Sequence, residues 1–227
     1  MLDGIIYEYL AIISPEQTVT ADIQAMKQSC KNNYGWKSEA GTKPHLTLFS
    51  YLGNAASESI LIKDFEQITT QTPTINIRLS GFDCFAGQSY TIYVKIEEDP
   101  DLSGLLSNLK KVLSHWLKGG KNPAYRPSTK AHLTIAKGIS KHDFEKVWAA
   151  WKNKNYQASF KADRMLLLRR ASGSMYHKFD RIAELNFHGK PMETTQTKLF
   201  RLIFAFHLQH IPDRFYPGYL TYPHQNV

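Results

Sequence analysis

A short segment occurs twice in this chain, and it constrains the fold more than any other feature of the sequence. Residues 42–48 are Thr-Lys-Pro-His-Leu-Thr-Leu, and residues 129–135 are Thr-Lys-Ala-His-Leu-Thr-Ile. Five of the seven positions are identical, and the last pair is a conservative exchange. Internal repetition of this kind predicts a chain built from two related halves, each of which carries one copy.

Each copy is predicted to lie in a β-strand. Because side chains alternate between the two faces of a strand, His45 and Thr47 share one face, and so do His132 and Thr134. The apolar residues between them point to the opposite face, where they can pack beneath helices. Two such faces turned towards each other would form a cleft that contains two imidazoles and two hydroxyl groups.

This set of side chains suits phosphodiester chemistry. One neutral imidazole can accept a proton from an attacking hydroxyl or water, and a second, protonated imidazole can donate one to the leaving oxygen. The two threonine hydroxyls can donate to the non-bridging oxygens of the phosphate. Lys43 and Lys130, each two residues before a histidine, could supply positive charge or lie at the rim of the cleft. The sequence does not assign which histidine is the acid.

The rest of the chain alternates strands with helices, with no Gly/Ser-rich or Pro-rich linker. This order predicts an α/β or α+β class and one domain with two lobes. Ser57, Asp99 and Ser140 are predicted helix caps. Predicted strands cover residues 4–13, 45–52, 74–85, 89–97, 131–136, 156–169 and 177–187; predicted helices cover 16–33, 57–71, the segment from Pro100 to Gly119-Gly120, and 141–153.

Composition excludes several classes of protein. The chain has 227 residues, of which 42% are hydrophobic, and this is too apolar for a disordered protein. Its two cysteines are too few for a disulfide framework or a Cys-rich zinc site, and they fit a reducing compartment. No stretch is apolar enough for a membrane span, and Asp3 and Glu8 argue against a signal peptide. We therefore expect a cytoplasmic protein.

Charge is distributed unevenly along the chain. Residues 1–100 contain 7 Lys/Arg and 12 Asp/Glu, whereas residues 101–227 contain 21 and 8. A basic half favours an anionic partner such as RNA or a nucleotide. A solvated basic face is the alternative interpretation of the same excess.

The two His-Leu-Thr segments, in this order of elements, resemble the two-histidine phosphoesterase superfamily and most closely its 2′-5′ RNA ligase-like branch. The resemblance spans about residues 4–187 and includes YLAIISP, KPHLTL and GFDCF followed by YTIYVKIE. It implies a bilobal α+β fold with two antiparallel-rich sheets that face a central cleft and helices outside. Residues 1–187 would form this two-lobed domain, and residues 188–227 are a C-terminal tail of unknown role.

The resemblance also implies roles for individual residues. His45 and His132 would be the catalytic pair, Thr47 and Thr134 would bind the substrate phosphate, and no metal or other cofactor would be required. Tyr9 could stack a base, although a core position suits it at least as well. Arg126, Arg169 and Arg170 could hold phosphates, and Tyr176 lies where the family often has an aromatic residue. The weaker candidates for substrate binding are Lys43, Lys130, Tyr9, Arg126 and Tyr176.

The expected function is that of a metal-independent phosphodiesterase. Its substrates would be 2′,3′-cyclic phosphates or 2′-5′ linkages in RNA or small nucleotides, and we expect a monomer. The sequence does not decide whether the reaction runs in the direction of cleavage or of ligation. The alternative is an RNA- or nucleotide-binding module that keeps the fold without turnover, and transfer on a non-nucleotide phosphodiester is a third possibility.

Overall fold

The structure, a computed structural model, describes residues 5–35, 41–117, 126–128, 130–173 and 178–189. These residues belong to one compact unit, Met1–Lys190. Apart from residues 188 and 189, the predicted tail lies outside the described residues. The strands are β1 (Tyr7–Ile13), β2 (Leu46–Gly53), β3 (Ile75–Phe85), β4 (Tyr90–Ile96), β5 (Arg126–Pro127), β6 (His132–Ile139), β7 (Gln157–Ala162), β8 (Arg164–Ala171) and β9 (Asp180–Asn186); the helices are α1 (Gln17–Tyr34), α2 (Glu58–Gln71), α3 (Pro100–Leu117) and α4 (Lys141–Trp151).

All these strands lie in one antiparallel sheet. The order is β7-β3-β4-β6-β2-β1-β8-β9, and the short β5 pairs with β2 outside this path. The order is symmetric about its centre, because β2 and β6, the strands that carry the repeated segment, lie side by side in the middle. Four strands lie on each side of the centre, and this antiparallel sheet with its four helices confirms the prediction of an α+β fold.

The prediction of two separate sheets is wrong. Residue Leu46 of β2 pairs with Leu133 of β6, so backbone hydrogen bonding runs continuously from one half to the other. The two motif strands are therefore neighbours in one sheet. They do not face each other from separate sheets.

Burial confirms the predicted alternation along both motif strands. Leu46, Leu48, Leu133 and Ile135 are buried in the hydrophobic core, whereas the histidines and threonines between them are half-buried. On the helices, the predicted apolar stripes face the core, since α1 buries Val19, Ile23 and Cys30 and α3 buries four leucines. Helix α1 packs against β6 and β7, α2 against α3 and β9, and α4 against β4.

The starts of three helices can be compared with their predicted caps. The Oδ1 of Asp99 accepts a hydrogen bond from the backbone N–H of Leu102, and the Oγ of Ser140 accepts one from Asp143 N–H, as predicted. The start of α2 differs from its prediction. Ser57 is the last residue of a single 3₁₀ turn over Ala55–Ser57, which Asn54 caps, and α2 begins at the following residue.

The predicted strand over 156–169 is in fact two strands. β7 pairs with β3 and β8 pairs with β1, so the chain crosses from one half of the sheet to the other at Asp163. Because the residues on both sides of Asp163 favour β-strands, the sequence pattern does not show where one strand ends and the next begins. The two-residue β5 was not predicted, because a run of this length carries no periodicity. Within the described residues, no helix has the length and apolar character needed to cross a membrane.

Replacing Leu133 with alanine should destabilise the protein strongly. Its side chain is fully buried where the two halves join, so truncation leaves a cavity and should lower the free energy of unfolding by about 2–5 kcal/mol. Urea denaturation measures this change. Ile60→Ala is the control: its side chain is 52% exposed, and the expected change is within about 0.5 kcal/mol. Equal effects of the two substitutions would contradict the assigned junction.

Candidate functional site

The antiparallel pairing of Leu46 with Leu133 sets the geometry of the candidate site. One residue to either side of this pair, the register places His45 opposite Thr134 and Thr47 opposite His132. Directly opposed residues share a face of the sheet, so the four side chains form a two-by-two set on that face. Each imidazole thus lies beside the threonine of the other copy.

A cleft of about 760 Å³ lies over this part of the sheet. It is lined by His45, Thr47, Thr134 and Lys43. The cleft extends over β1 and β8, in the half of the sheet that contains the first motif strand. There it is lined by the half-buried or buried side chains of Leu10, Ile12, Leu166 and Leu168. Three of the four motif side chains therefore share one cavity. The fourth, His132, lies opposite Thr47 on the neighbouring strand.

The two histidines are held by the same local hydrogen bond. The Nδ1 of His45 lies 2.9 Å from the carbonyl oxygen of Lys43, and the Nδ1 of His132 lies 2.8 Å from that of Lys130. A carbonyl oxygen only accepts hydrogen bonds, so Nδ1 must carry the proton. The other ring nitrogen, Nε2, is then the atom that gains or loses a proton. Both copies of the repeat thus present Nε2 for acid or base chemistry.

His132 lies in an apolar and cationic environment. Its ring packs edge-on against Phe85, with 4.9 Å between the ring centroids, and against Tyr93 at 5.1 Å. Burial lowers the pKa of His132, and the nearby charges of His45 and Lys130 lower it further, against the opposing effect of its bond to the Lys130 carbonyl. The neutral imidazole is therefore favoured at this position.

The two motif lysines differ in their contacts. Lys43 lines the cleft. Lys130 instead forms an ion pair with Asp83, with 2.8 Å between Nζ and Oδ2, and the hydroxyl of Tyr93 donates to the same carboxylate oxygen at 3.0 Å. Although burial opposes it, the hydrogen bonds from Lys130, from the Cys84 N–H and from Tyr93 hold the pKa of Asp83 below its usual range.

Lys27 is one of the cleft residues that the sequence analysis missed. Lys27 of α1 is only 2% exposed, and its Nζ donates to the carbonyl oxygen of Thr42 at 3.1 Å and to the Thr42 hydroxyl at 2.9 Å. The same side chain lines the cleft. A signal was present, because Lys27 follows Ile23 by four residues and precedes Cys30 by three and so falls on the buried stripe of α1.

Neighbouring arginines on β8 point to opposite faces of the sheet. Arg170 lines the cleft, where its guanidinium pairs with Glu8 at 2.6 Å and lies 4.4 Å from the ring centroid of Phe179. Arg169 pairs with Glu58 at 2.7 Å, close to Tyr9. Of the two, Arg170 is therefore the one placed to meet a ligand in the cleft.

Tyr9 does not have the position that base stacking requires. Its side chain is completely buried, its ring stacks on Tyr51 with 4.6 Å between centroids, and its hydroxyl donates to Glu58. Burial, together with Glu58, raises the pKa of Tyr9 to about 12. This tyrosine belongs to the core, so its assignment as a substrate-binding residue is corrected.

Two further candidates are not placed by the described side chains. Arg126 belongs to β5, whose backbone pairs with Ser50, and its role in phosphate binding stays a prediction. Tyr176 lies outside the described residues. Among the described residues, no three His, Cys, Asp or Glu side chains are grouped so that they could hold a metal ion.

Comparisons with known sequences give two findings. The model of the family described as "2'-5' RNA ligase superfamily" matches residues 15–174. A curated protein of Geobacillus thermodenitrificans (strain NG80-2), named "Putative phosphoesterase", is 26% identical over 139 residues, which are 60% of this chain and 76% of that protein.

Solved structures share the fold. TT0787 of Thermus thermophilus matches with a TM-score of 0.63 and 15% identity, over 81% of this chain and 99% of that chain. LigT of E. coli complexed with NADP+ matches with a TM-score of 0.52 and 14% identity, over 81% and 99% of the two chains. The complex of LigT with 3'-AMP gives 0.51 and 12%, over 80% and 98%.

The hydrogen bonds of the histidines predict their protonation in solution. In nitrogen NMR spectra of the free protein, neutral His45 and His132 should both carry the proton on Nδ1, and His132 should titrate below the ordinary value of 6.5. Because its pKa is lowered on folding, neutral His132 contributes stability above pH 6.5 that is lost as the pH falls through the folded-state pKa.

The signals are assigned by their disappearance in His45→Asn and His132→Asn variants. A neutral His132 protonated on Nε2, or a pKa above 6.5, would show that the ring is held differently.

Proposed function

The chain belongs to the 2′-5′ RNA ligase superfamily, and from this premise we propose that it is a metal-independent phosphodiesterase that acts on 2′,3′-cyclic phosphates or 2′-5′ linkages of RNA or small nucleotides. The observation that carries the proposal is the doubled arrangement of histidine and threonine. Each ring is fixed by a carbonyl at Nδ1, and each lies opposite the other copy's threonine. The chemistry is assigned to the predicted domain of residues 1–187.

Hydrolysis of a cyclic phosphate needs one group that accepts a proton and one that donates a proton. In the proposed reaction, the Nε2 of one neutral histidine removes a proton from water as the water oxygen bonds to phosphorus. The bond from phosphorus to one ribose oxygen breaks, and the Nε2–H of the other histidine protonates that oxygen. The product is a phosphomonoester with one free hydroxyl, and the proton count balances.

The environment of His132 favours it as the base. A base must be neutral before the reaction, and burial beside Phe85 and Tyr93 together with the charges of His45 and Lys130 favours the neutral ring. His45 is then the acid. For the reverse reaction, ligation of a hydroxyl to a cyclic phosphate, the roles exchange.

The remaining cleft residues suit a phosphate ester. The hydroxyls of Thr47 and Thr134 can donate to the non-bridging oxygens as negative charge develops there. Lys43 supplies positive charge at the cleft wall, which Arg170 also lines as an ion pair with Glu8. Support for a nucleotide ligand comes from LigT, which has been crystallised with 3'-AMP and with NADP+.

Replacing either histidine should abolish most turnover. We expect His45→Ala and His132→Ala each to lower kcat on a 2′,3′-cyclic nucleotide by at least about 10²-fold, because each removes one half of the proton transfer. For the comparison of variants, the rate is measured as release of the phosphomonoester in the presence of EDTA. The rate of the unaltered protein should be the same with and without EDTA, and its pH profile should be bell-shaped.

The matched control is His142→Ala, which removes an exposed histidine at the start of α4 and should leave the rate within twofold. Full activity in both motif variants would overturn the proposal. Salt-dependent RNA binding without any product from the unaltered protein would favour the alternative, a binding module without turnover.

Removing either threonine hydroxyl should slow the chemical step. Thr47→Val and Thr134→Val keep the shape and β-propensity of the side chain, so the expected loss of about 10²-fold in kcat reports the missing hydrogen-bond donor. Steady-state kinetics separate kcat from KM. A rise in KM alone would mean that the hydroxyls bind ground-state substrate and do not stabilise the transition state.

A further inference from the structure

We propose that Asp83 and Tyr93 are positioning residues for His132, and that Lys130, through which they act, supports this histidine and does not bind the substrate phosphate. The inference deepens the proposed function, on which its kinetic arm rests. It follows from three hydrogen bonds that connect Tyr93, Asp83, Lys130 and His132, and from a fourth within β3 that Asp83 accepts from the Cys84 N–H.

The network is built into the register of the sheet. Asp83 of β3 pairs with Tyr93 of β4, and Tyr93 pairs with Thr134 of β6. Because opposed residues share a face, the Asp83 carboxylate and the Tyr93 ring lie on the same face as Thr134 and His132. The network is therefore a continuation of the candidate site across the outer strands of this half.

Asp83 is the centre of the network. Its Oδ2 accepts hydrogen bonds from Lys130 Nζ at 2.8 Å and from the Tyr93 hydroxyl at 3.0 Å, and its Oδ1 accepts one from the Cys84 N–H at 2.8 Å. The ring of Tyr93 is completely buried and stacks on Phe85, with 4.3 Å between centroids. The carboxylate is thus held by three donors, two of which come from side chains that also approach His132.

Lys130 is held at both of its ends. Its ammonium group binds Asp83, and its carbonyl oxygen accepts the Nδ1 proton of His132 at 2.8 Å. The hydroxyl of Ser128 donates to the same carbonyl at 3.3 Å. Fixing the lysine therefore fixes the acceptor that sets the rotation and the tautomer of the His132 ring, as an outer partner does for a metal-ligating histidine.

The network also sets the charge around the ring. The Lys130 ammonium disfavours a second positive charge on His132, and Asp83 offsets that ammonium. The titratable and charged groups that face His132 from its own segment and the paired strands are Lys130, Tyr93 and Lys95 on β4, Asp83 on β3, and His45 on the other motif strand. Asp83 is the carboxylate of this set.

The first copy of the repeat is held by different contacts. Lys43 makes the same carbonyl bond to its histidine, but the adjoining Thr42 is held by Lys27 of α1, and Lys43 itself lines the cleft. The two lysines at equivalent positions of the repeat thus have different surroundings. Lys43 remains available to a phosphate in the cleft, whereas Lys130 is committed to Asp83.

The test is an NMR titration of His132 in the free, full-length protein, which requires no substrate. Asp83→Asn removes the carboxylate and leaves the ammonium, so the pKa of His132 should fall. Lys130→Met removes the ammonium and leaves the carboxylate, so the pKa should rise. The double variant should return close to the unaltered protein, because both charges are gone.

Kinetics provide the second readout. On a 2′,3′-cyclic nucleotide, Asp83→Asn and Lys130→Met should each lower kcat by about tenfold with KM within twofold, since the ring is held less well. The acid limb of the pH profile should move in the same direction as the pKa of His132. Tyr93→Phe, which removes one donor and keeps the ring, should have a smaller effect in the same direction as Asp83→Asn.

The matched control is Asp22→Asn. Asp22 also accepts a hydrogen bond from a tyrosine, Tyr156, at 3.1 Å, but it belongs to α1, whereas the carboxylate that binds Lys130 is that of Asp83. It should leave the His132 pKa and kcat unchanged. Lys130 is half-exposed, so Lys130→Met keeps the test valid even if Asp83→Asn fails to fold.

An unchanged His132 pKa in both Asp83→Asn and Lys130→Met would overturn the proposal. A tenfold rise in KM for Lys130→Met with an unchanged pKa would overturn it as well, and would make Lys130 a phosphate ligand. If the unaltered protein has no activity on cyclic nucleotides, the proposed substrate fails while the titration still decides the role of Asp83.

Discussion

The pairing of Leu46 with Leu133 determines how the histidines and threonines of the two repeat copies lie relative to one another. It joins the two halves of the sheet and places each motif histidine opposite the threonine of the other copy. A shift of one residue in this register would move the four polar side chains to opposite faces, because strand side chains alternate. The buried leucines resist such a shift, since it would expose them to water on the cleft face.

A symmetric backbone does not create two equivalent histidines. Both rings make the same bond from Nδ1 to a carbonyl two residues earlier, so both present Nε2. Their surroundings differ, because His132 packs on Phe85 and Tyr93, whereas His45 lines the open cleft. Paired acid and base chemistry needs one neutral and one protonated ring at the same pH. The shared bond thus gives both rings the same orientation, and the surroundings of His132 favour its neutral form.

Local patterns predicted the elements well, because each depends on neighbouring residues. The alternation around His45 and His132 placed both strands, and Asp99 and Ser140 marked their helices. What failed depends on distant residues. Whether β2 and β6 lie in one sheet is set by pairing across the chain, and the break at Asp163 is visible only when β7 and β8 have different partners. Tyr9 was equally ambiguous, because strand position alone does not reveal what covers a side chain.

The excess of positive charge after residue 100 favours an anionic partner, but the position of a charge in the sequence does not say where that charge lies in the fold. Among the described residues that line the cleft, the cations come from both parts of the chain: Lys27 and Lys43 precede residue 100, and Lys137 and Arg170 follow it. Other basic residues of the second part, such as Arg164 and Arg181, are paired with carboxylates away from the motif strands. In the cleft itself, Arg170 is paired with Glu8, so the charge near the motif depends on which residues the fold brings there, and net charge contributes to long-range attraction of an anion.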